Sequence, residues 1–243
     1  MMRSQKPETK SQLQIKVCGL TKLNQIKELI GLKVDFLGFI FYEKSPRYVL
    51  NHLNVEQISE INHQGKVGVF VNESIEKIIE ISEKAKLNFI QLHGDENEDY
   101  ISELRQQLNP RIEIIKVVRI NSVILNETKC SEESLRFFVL RNNIDYILFD
   151  TDSKAYGGTG KTFDWNILNN FEIPLPYFLS GGISLENSGD LKIFLTVSQQ
   201  GNKTLAKLSS PFAIDINSKF EIEAGNKDLE KIKTFINLIG VTK

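Results

Sequence analysis

Short runs of apolar and β-branched residues recur along the chain, separated by longer polar-patterned segments, several of which repeat their apolar positions at helical spacing. The runs are Gln14–Cys18, Asp35–Phe41, Lys66–Val71, Asn88–His93, Ile112–Val118, Asp145–Asp150, Tyr177–Ser180 and Phe212–Ile216. Between them, Ile75–Ala85 sets Ile75, Ile78, Ile79 and Ile81 against Glu76, Lys77, Glu80 and Lys84, the pattern of an amphipathic helix. Val55–Ile61, Asn97–Leu108, Leu185–Val197 and Leu229–Ile239 repeat it, whereas Asn121–Arg141 is less regular and predicts a helix only from about Ser131. Short buried strands alternating with helices predict βαβ units and a parallel sheet. Eight units in a chain of 243 residues suit a closed (β/α)8 TIM barrel with parallel strands. An open, doubly wound sheet is the alternative that pattern alone leaves. No linker or change of composition divides the chain, which predicts one domain over residues 14–243 preceded by a frayed extension over residues 1–13.

Composition narrows the classes of function. The formal net charge of −1 excludes a broad basic surface for nucleic acid or an anionic membrane, but leaves room for a few local cations around a small anion. Two cysteines, Cys18 and Cys130, make no disulfide framework, and no paired metal-ligand spacing occurs. The first 14 residues carry no apolar signal core, and no apolar run reaches the roughly 20 residues needed to span a bilayer. The expectation is a reduced, soluble, cytoplasmic protein without metal or other cofactor. In that setting the glycosylation-type tripeptides at Asn72, Asn126 and Asn202 are chance matches.

Parallel strands gather their C-terminal ends at one rim, where α/β folds place their sites. Side chains alternate along a strand, so Lys16 and Cys18 share a face of the first strand, and Gln91 and His93 share one on the fourth. Asp150 ends the sixth strand, Asp215 lies late in the eighth, and Lys116 lies on the fifth; in a barrel all of these are expected to project towards the axis. Each has a plainer reading taken singly. A strand cysteine is a small buried hydrophobe, a carboxylate at a strand end caps a helix, a lone histidine is structural, and Arg47 is a surface cation. It is their joint placement that points to chemistry, because unpaired buried charge is costly.

Glycines add capacity for an anion. Ser180-Gly181-Gly182 follows the seventh strand and precedes a helix expected to begin near Glu186, an arrangement that lets backbone N–H groups approach a ligand. The loop after the eighth strand, Asn217-Ser218-Lys219, supplies an amide, a hydroxyl and a cation, and the two loops match the usual barrel phosphate site. Ala155 to Thr162 satisfies a relaxed nucleotide P-loop pattern, but it does not pass directly from strand to long helix, so a glycine-rich lid is the better expectation.

Several motifs in order resemble the phosphoribosylanthranilate isomerase family. They are Ile15-Lys-Val-Cys-Gly-Leu-Thr21, Gly38-Phe-Ile-Phe-Tyr-Glu-Lys-Ser-Pro-Arg-Tyr48, Val67-Gly-Val-Phe-Val-Asn72 and Gln91-Leu-His-Gly94. Phe149-Asp-Thr151, Gly157-Gly-Thr-Gly-Lys-Thr-Phe-Asp-Trp165 and Ser180-Gly-Gly182 continue the set, which spans Gln14 to about Ile239. The resemblance implies an Amadori rearrangement of a small phosphoribosyl substrate in tryptophan synthesis, with no cofactor, by a monomer or homodimer. It implies Cys18 as general base and Asp150 as general acid, Arg47 at the anthranilate end, and His93 and Asp215 in the pocket. Gly181, Gly182, Asn217 and Ser218 fall in its phosphate-binding loops. Lys16, two positions before Cys18, is the expected cation for lowering the thiol pKa.

The chain departs from the family pattern in the eighth-strand loop, where Asn217 and Lys219 replace a serine and a glycine. Ala224-Gly-Asn-Lys-Asp228 also lacks the usual proline, and the Ser198–Ser210 segment is longer and more polar. A related barrel isomerase of histidine synthesis resembles an Asp/Asp pair, which Cys18 disfavours. A non-enzymatic sugar-phosphate-binding barrel would need neither Cys18 nor Asp150.

Overall fold

Eight strands buried on both faces close on one another in chain order in a computed structural model, which describes residues 13–120, 143–151, 163–170, 173, 175–200 and 210–240. They are β1 (Gln14–Val17), β2 (Phe36–Ile40), β3 (Lys66–Phe70), β4 (Phe89–Leu92), β5 (Glu113–Ile120), β6 (Tyr146–Thr151), β7 (Tyr177–Leu179) and β8 (Ala213–Ile216). All pairings between neighbours are parallel, and β1 against β8 seals the barrel with Lys16 opposite Asp215. The closed sheet rules out the open alternative. The expected segments at residues 121–141 and 157–162, and residues 201–209, lie outside the described residues, as do Cys130 and the extension up to residue 12.

Alternate side chains of each strand divide the core in two. Phe36, Val67, Val69, Phe89, Ile115, Val117, Tyr146, Leu148, Phe178 and Ala213 fill the barrel. The intervening residues, such as Val17, Leu37, Ile90, Ile147 and Ile214, pack outwards against the helices. At the base of the barrel Phe36 meets Phe89 and Phe178 edge-on with ring centroids 5.2 and 5.1 Å apart, and Tyr146 meets Phe178 likewise at 5.6 Å. Aromatic rings thus pack this end of the interior, while the inward Lys16, Asp150 and Asp215 lie towards the opposite rim.

The described helices are α1 (Leu23–Gly31), α2 (Val55–Ser59), α3 (Ile75–Lys84), α4 (Glu98–Gln107), α5 (Ser188–Gln200) and α6 (Leu229–Leu238). Side-chain caps fix several starts: Asn54 and Gln57 form a reciprocal capping box on α2, and Ser74, Asn97 and Asp228 cap α3, α4 and α6. Helix α1, absent from the sequence expectations, has no side-chain cap and no acidic residue in its first turn. Helix α5 starts at Ser188, later than the expected Leu185. After β8 the chain makes a 3₁₀ turn at Ser218–Phe220 and a hairpin of β9 (Glu221–Glu223) and β10 (Asn226–Lys227), which pattern also missed.

Candidate active site

Lys16 and Cys18 take the inward positions at the end of β1. Lys16 is fully buried, and its Nζ donates to Asp215 Oδ1 at 2.8 Å across the sealing pair of strands. Cys18 is 4% exposed and lies against Gly38 of β2, where an added Cβ would come within 2.9 Å of its Sγ. Burial pushes the Cys18 thiol above its usual range; Lys16 and Lys227 pull it down and Asp215 pushes it further up. The cation expected beside the thiol is present, but its charge is shared with Asp215, and desolvation wins. The expectation of a lowered thiol pKa in the unliganded chain is therefore corrected.

Asp150 holds the corresponding inward position late in β6. Its Oδ1 accepts the Thr151 backbone N–H at 2.8 Å. Burial, with a smaller push from Asp215, raises its carboxyl to about 6, while the Thr151 N–H, Lys16 and Arg119 act the other way. His93 Nε2 stands 3.6 Å from Asp150 Oδ2, just beyond hydrogen-bonding length. Gln91 Nε2 lies 2.9 Å from His93 Nδ1; with that amide donating, the ring proton sits on Nε2 and faces Asp150. Burial first, then Arg119, Lys16 and Lys116, hold the His93 pKa down at about 3, so the ring is neutral.

The turn that carries His93 is fastened from behind. Glu96 Oε1 accepts the Asn72 and Gly94 backbone N–H groups at 2.9 and 3.1 Å, and Glu96 Oε2 accepts Lys116 Nζ at 2.6 Å. Lys116 also donates to the Gly94 carbonyl at 2.9 Å. Lys116, expected on the axis, therefore faces the helical layer, on the same side of β5 as Ile114 and Ile120. Arg119 has the inward parity instead, opposite Asp150 in register; it donates to the His93 carbonyl at 2.7 Å and to Asp95 at 2.8 Å. Sequence reading missed Arg119 because the expected strand stopped at Val118.

Arg47 follows β2 and is 11% exposed. Its Nε donates to both Glu221 carboxylate oxygens at 2.9 Å, and its Nη2 to Oε2 at 2.6 Å. Lys227 Nζ reaches Glu221 Oε1 at 2.6 Å and Asn217 Oδ1 at 2.9 Å. The β9–β10 hairpin holds Glu221 and Lys227 there: Thr21 Oγ1 donates to the Gly225 carbonyl at 2.6 Å, and Gln25 Nε2 donates to the Lys227 carbonyl at 2.8 Å. Gly19, with φ +76°, is the turn beneath; a Cβ there would meet Arg47 Cδ at 2.7 Å and Asn217 Oδ1 at 2.8 Å, so a side chain would collide with the cluster. Neither Glu221 nor Lys227 was singled out by sequence reading, and the lysine beside Gly225 was the available signal.

Gly181 and Gly182 both adopt positive φ, +89° and +68°, and a Cβ on Gly181 would come 2.6 Å from Thr151 Oγ1. Asn187 fixes their turn by donating to the Gly182 carbonyl and accepting from the Ser184 N–H, both at 2.9 Å. Ser218 opens the 3₁₀ turn after β8, Lys219 is exposed, and the Asn217 amide oxygen is engaged by Lys227. The two loops flank Asp215, so the inward residues Lys16, Cys18, His93, Arg119, Asp150 and Asp215 line one rim, with the glycine turn at one side and the Arg47 cluster at the other. Among the described residues no group of three or more His, Cys, Asp or Glu is placed to hold a metal ion, and no helix is long and apolar enough to cross a membrane. This arrangement offers two carboxyls raised by burial, Asp150 and the Lys16-bound Asp215, with one thiol and local positive charge, the parts needed for proton transfers on an anionic small molecule.

A family model described as N-(5′-phosphoribosyl)anthranilate (PRA) isomerase matches residues 15–238. A relative from Parabacteroides distasonis named N-(5′-phosphoribosyl)anthranilate isomerase is 37% identical over 227 residues, covering 93% of this chain and 92% of its own. One from Trichodesmium erythraeum with the same name is 38% identical over 236 residues, covering 95% and 99%. The crystal structure of phosphoribosyl anthranilate isomerase from Thermotoga maritima superposes with a TM-score of 0.70 at 31% identity, over 93% of this chain and 98% of that one. Another solved isomerase, in complex with reduced 1-(o-carboxyphenylamino)-1-deoxyribulose 5-phosphate, gives 0.66 at 29% identity over the same shares.

Proposed function

The chain belongs to the N-(5′-phosphoribosyl)anthranilate isomerase family, and from that premise we propose that Cys18 and Asp150 carry out its proton transfers. The reaction is the Amadori rearrangement of N-(5-phosphoribosyl)anthranilate to 1-(2-carboxyphenylamino)-1-deoxyribulose 5-phosphate in tryptophan synthesis. Protonated Asp150 gives its proton to the ring oxygen as the C1′–O bond breaks, and the nitrogen lone pair forms the iminium ion. The Cys18 thiolate removes the acidified C2′ hydrogen, and the resulting enolamine tautomerises to the aminoketone. The observation that carries this assignment is the raised Asp150 carboxyl, about 6, on the inward face of the rim that Cys18 also lines. Neutral His93, with its N–H towards Asp150, steadies the carboxylate once its proton has left.

Arg47 is assigned to the anthranilate end, since Nε and Nη2 are tied to Glu221 and, among the described residues, Nη1 is left to meet a ligand. Gly181, Gly182, Asn217 and Ser218 are assigned to the phosphate, and Asp215 to the pocket floor, where it anchors Lys16. The reading treats residues 14–243 as one catalytic domain, working in the cytoplasm as a monomer or homodimer; light scattering on the purified protein separates the two states. One Thermotoga maritima structure is of monomers generated from a dimeric isomerase. The deciding experiment follows the fluorescence of freshly made phosphoribosylanthranilate with the Cys18→Ser and Asp150→Asn variants as controls. Loss of turnover by about 10²-fold or more in each, with the fold and binding of the reduced product analogue kept, is the expected result. Near-normal turnover in either variant rejects its assigned role.

A further inference from the structure

Two positive groups and one negative group meet where the β9–β10 hairpin closes over the Gly19 turn. Arg47 and Lys227 flank Glu221 at 2.6 Å on either side, and all three are largely buried, with side-chain exposures of 11%, 0% and 3%. Among the described residues neither cation makes a second ion pair, and the other Lys227 side-chain hydrogen bond is to the uncharged Asn217 amide. Summed over these three side chains the charge is +1, and Lys227 also lies within electrostatic reach of Cys18 and Asp215. An Arg47–Glu221 pair alone would be electrically neutral, and its outer edge would hold little attraction for a carboxylate.

We propose that Lys227 is a specificity-determining residue, supplying the odd charge that turns the Arg47–Glu221 pair into a receptor for the ring carboxylate of the substrate. The proposal rests on the reading that Arg47 meets the anthranilate end. Lys227 acts through the cluster, without touching the substrate. Its Nζ lies 3.5 Å from where a Cβ on Gly19 would stand, close enough to the turn for its field to reach the pocket through low-dielectric protein. Burial lowers the pKa of Lys227 and Arg47 adds to that, while Glu221 and Cys18 raise it; the 2.6 Å contact with the Glu221 carboxylate favours the ammonium form.

The test counts charge. The natural cluster is +1, Lys227→Met makes it 0, Glu221→Gln makes it +2, and Lys227→Met with Glu221→Gln returns it to +1. Two probes are titrated against each protein: the reduced product analogue, and its counterpart lacking the ring carboxylate. Lys227→Met is expected to weaken the first probe about tenfold and leave the second within about twofold, and the double variant to recover most of the loss. Equal weakening of both probes, or no recovery in the double variant, overturns the proposal, since a merely structural lysine gives that pattern. If Lys227→Met does not fold by circular dichroism, Glu221→Gln decides: tighter binding of the carboxylate-bearing probe supports the charge argument, and unchanged or weaker binding overturns it. Arg47→Ala separates the two layers. If it keeps the preference for the carboxylate, the Arg47 assignment fails; if it abolishes the preference while Lys227→Met does not, only the role of Lys227 fails.

Discussion

Asp150 and Cys18 rest in the wrong protonation states for the roles proposed for them, and this has a measurable consequence. The acid titrates near 6 and the thiol above its ordinary range, so at neutral pH the resting pair is carboxylate and thiol. Catalysis needs the reverse. Between the two pKa values the protonated fraction of Asp150 falls tenfold per pH unit while the thiolate fraction rises tenfold, and their product is constant. Below about 6, Asp150 is already protonated and only the thiolate fraction keeps falling, so kcat/KM should drop on the acid side there and stay flat from 6 up to the thiol pKa. A kcat/KM profile peaking sharply between those limits would contradict the pairing. Lys16→Met should move the pH of Cys18 alkylation upwards, since Lys16 pulls the thiol down, and stopped alkylation kinetics in a Cys130→Ser background read this directly. The inward parity of Lys16 and Cys18 was legible because one cation and one thiol share a face. That of Lys116 was not: both faces of β5 are apolar, Ile114 and Ile115 alike, and period two alone does not say which one faces the axis.

Elements set how firmly each of these side chains is held. The turn after β4 depends on Glu96, which bridges Asn72, Gly94 and Lys116; Glu96→Ala leaves the buried Lys116 without the carboxylate it is bonded to. A loss of about 3–5 kcal/mol in a urea titration is expected, along with misplacement of His93 and reduced kcat. Retained stability would mean that the pair contributes nothing. Asp228 caps α6 directly after the hairpin, and Asp228→Ala should cost about 1 kcal/mol by the same titration. Capped helices such as α3 and α4 were readable from their spacing, whereas α1 went unread although it buries Ile26 and Leu29 on one face; Lys22 before it supplies no capping oxygen to mark its start. The hairpin was invisible for a different reason. Its strands are only three and two residues long, and what fixes them, Gln25 and Thr21, lies some 200 residues earlier.

At the scale of the molecule, the eight-stranded sheet is a sealed cylinder whose seam joins residues 14–17 to 213–216. No metal or other cofactor has a part in the proposed mechanism, so turnover should survive dialysis against a chelator, and loss restored by a divalent ion would overturn that expectation. The seam also bears on the birth of the protein. A ribosome delivers Lys16 199 residues before Asp215, so a nascent chain must carry an amine destined for a dry interior long before its carboxylate partner has been made. Burying that amine before β8 pairs with β1 would be costly, which favours a barrel held open along the edge where its reaction chamber forms.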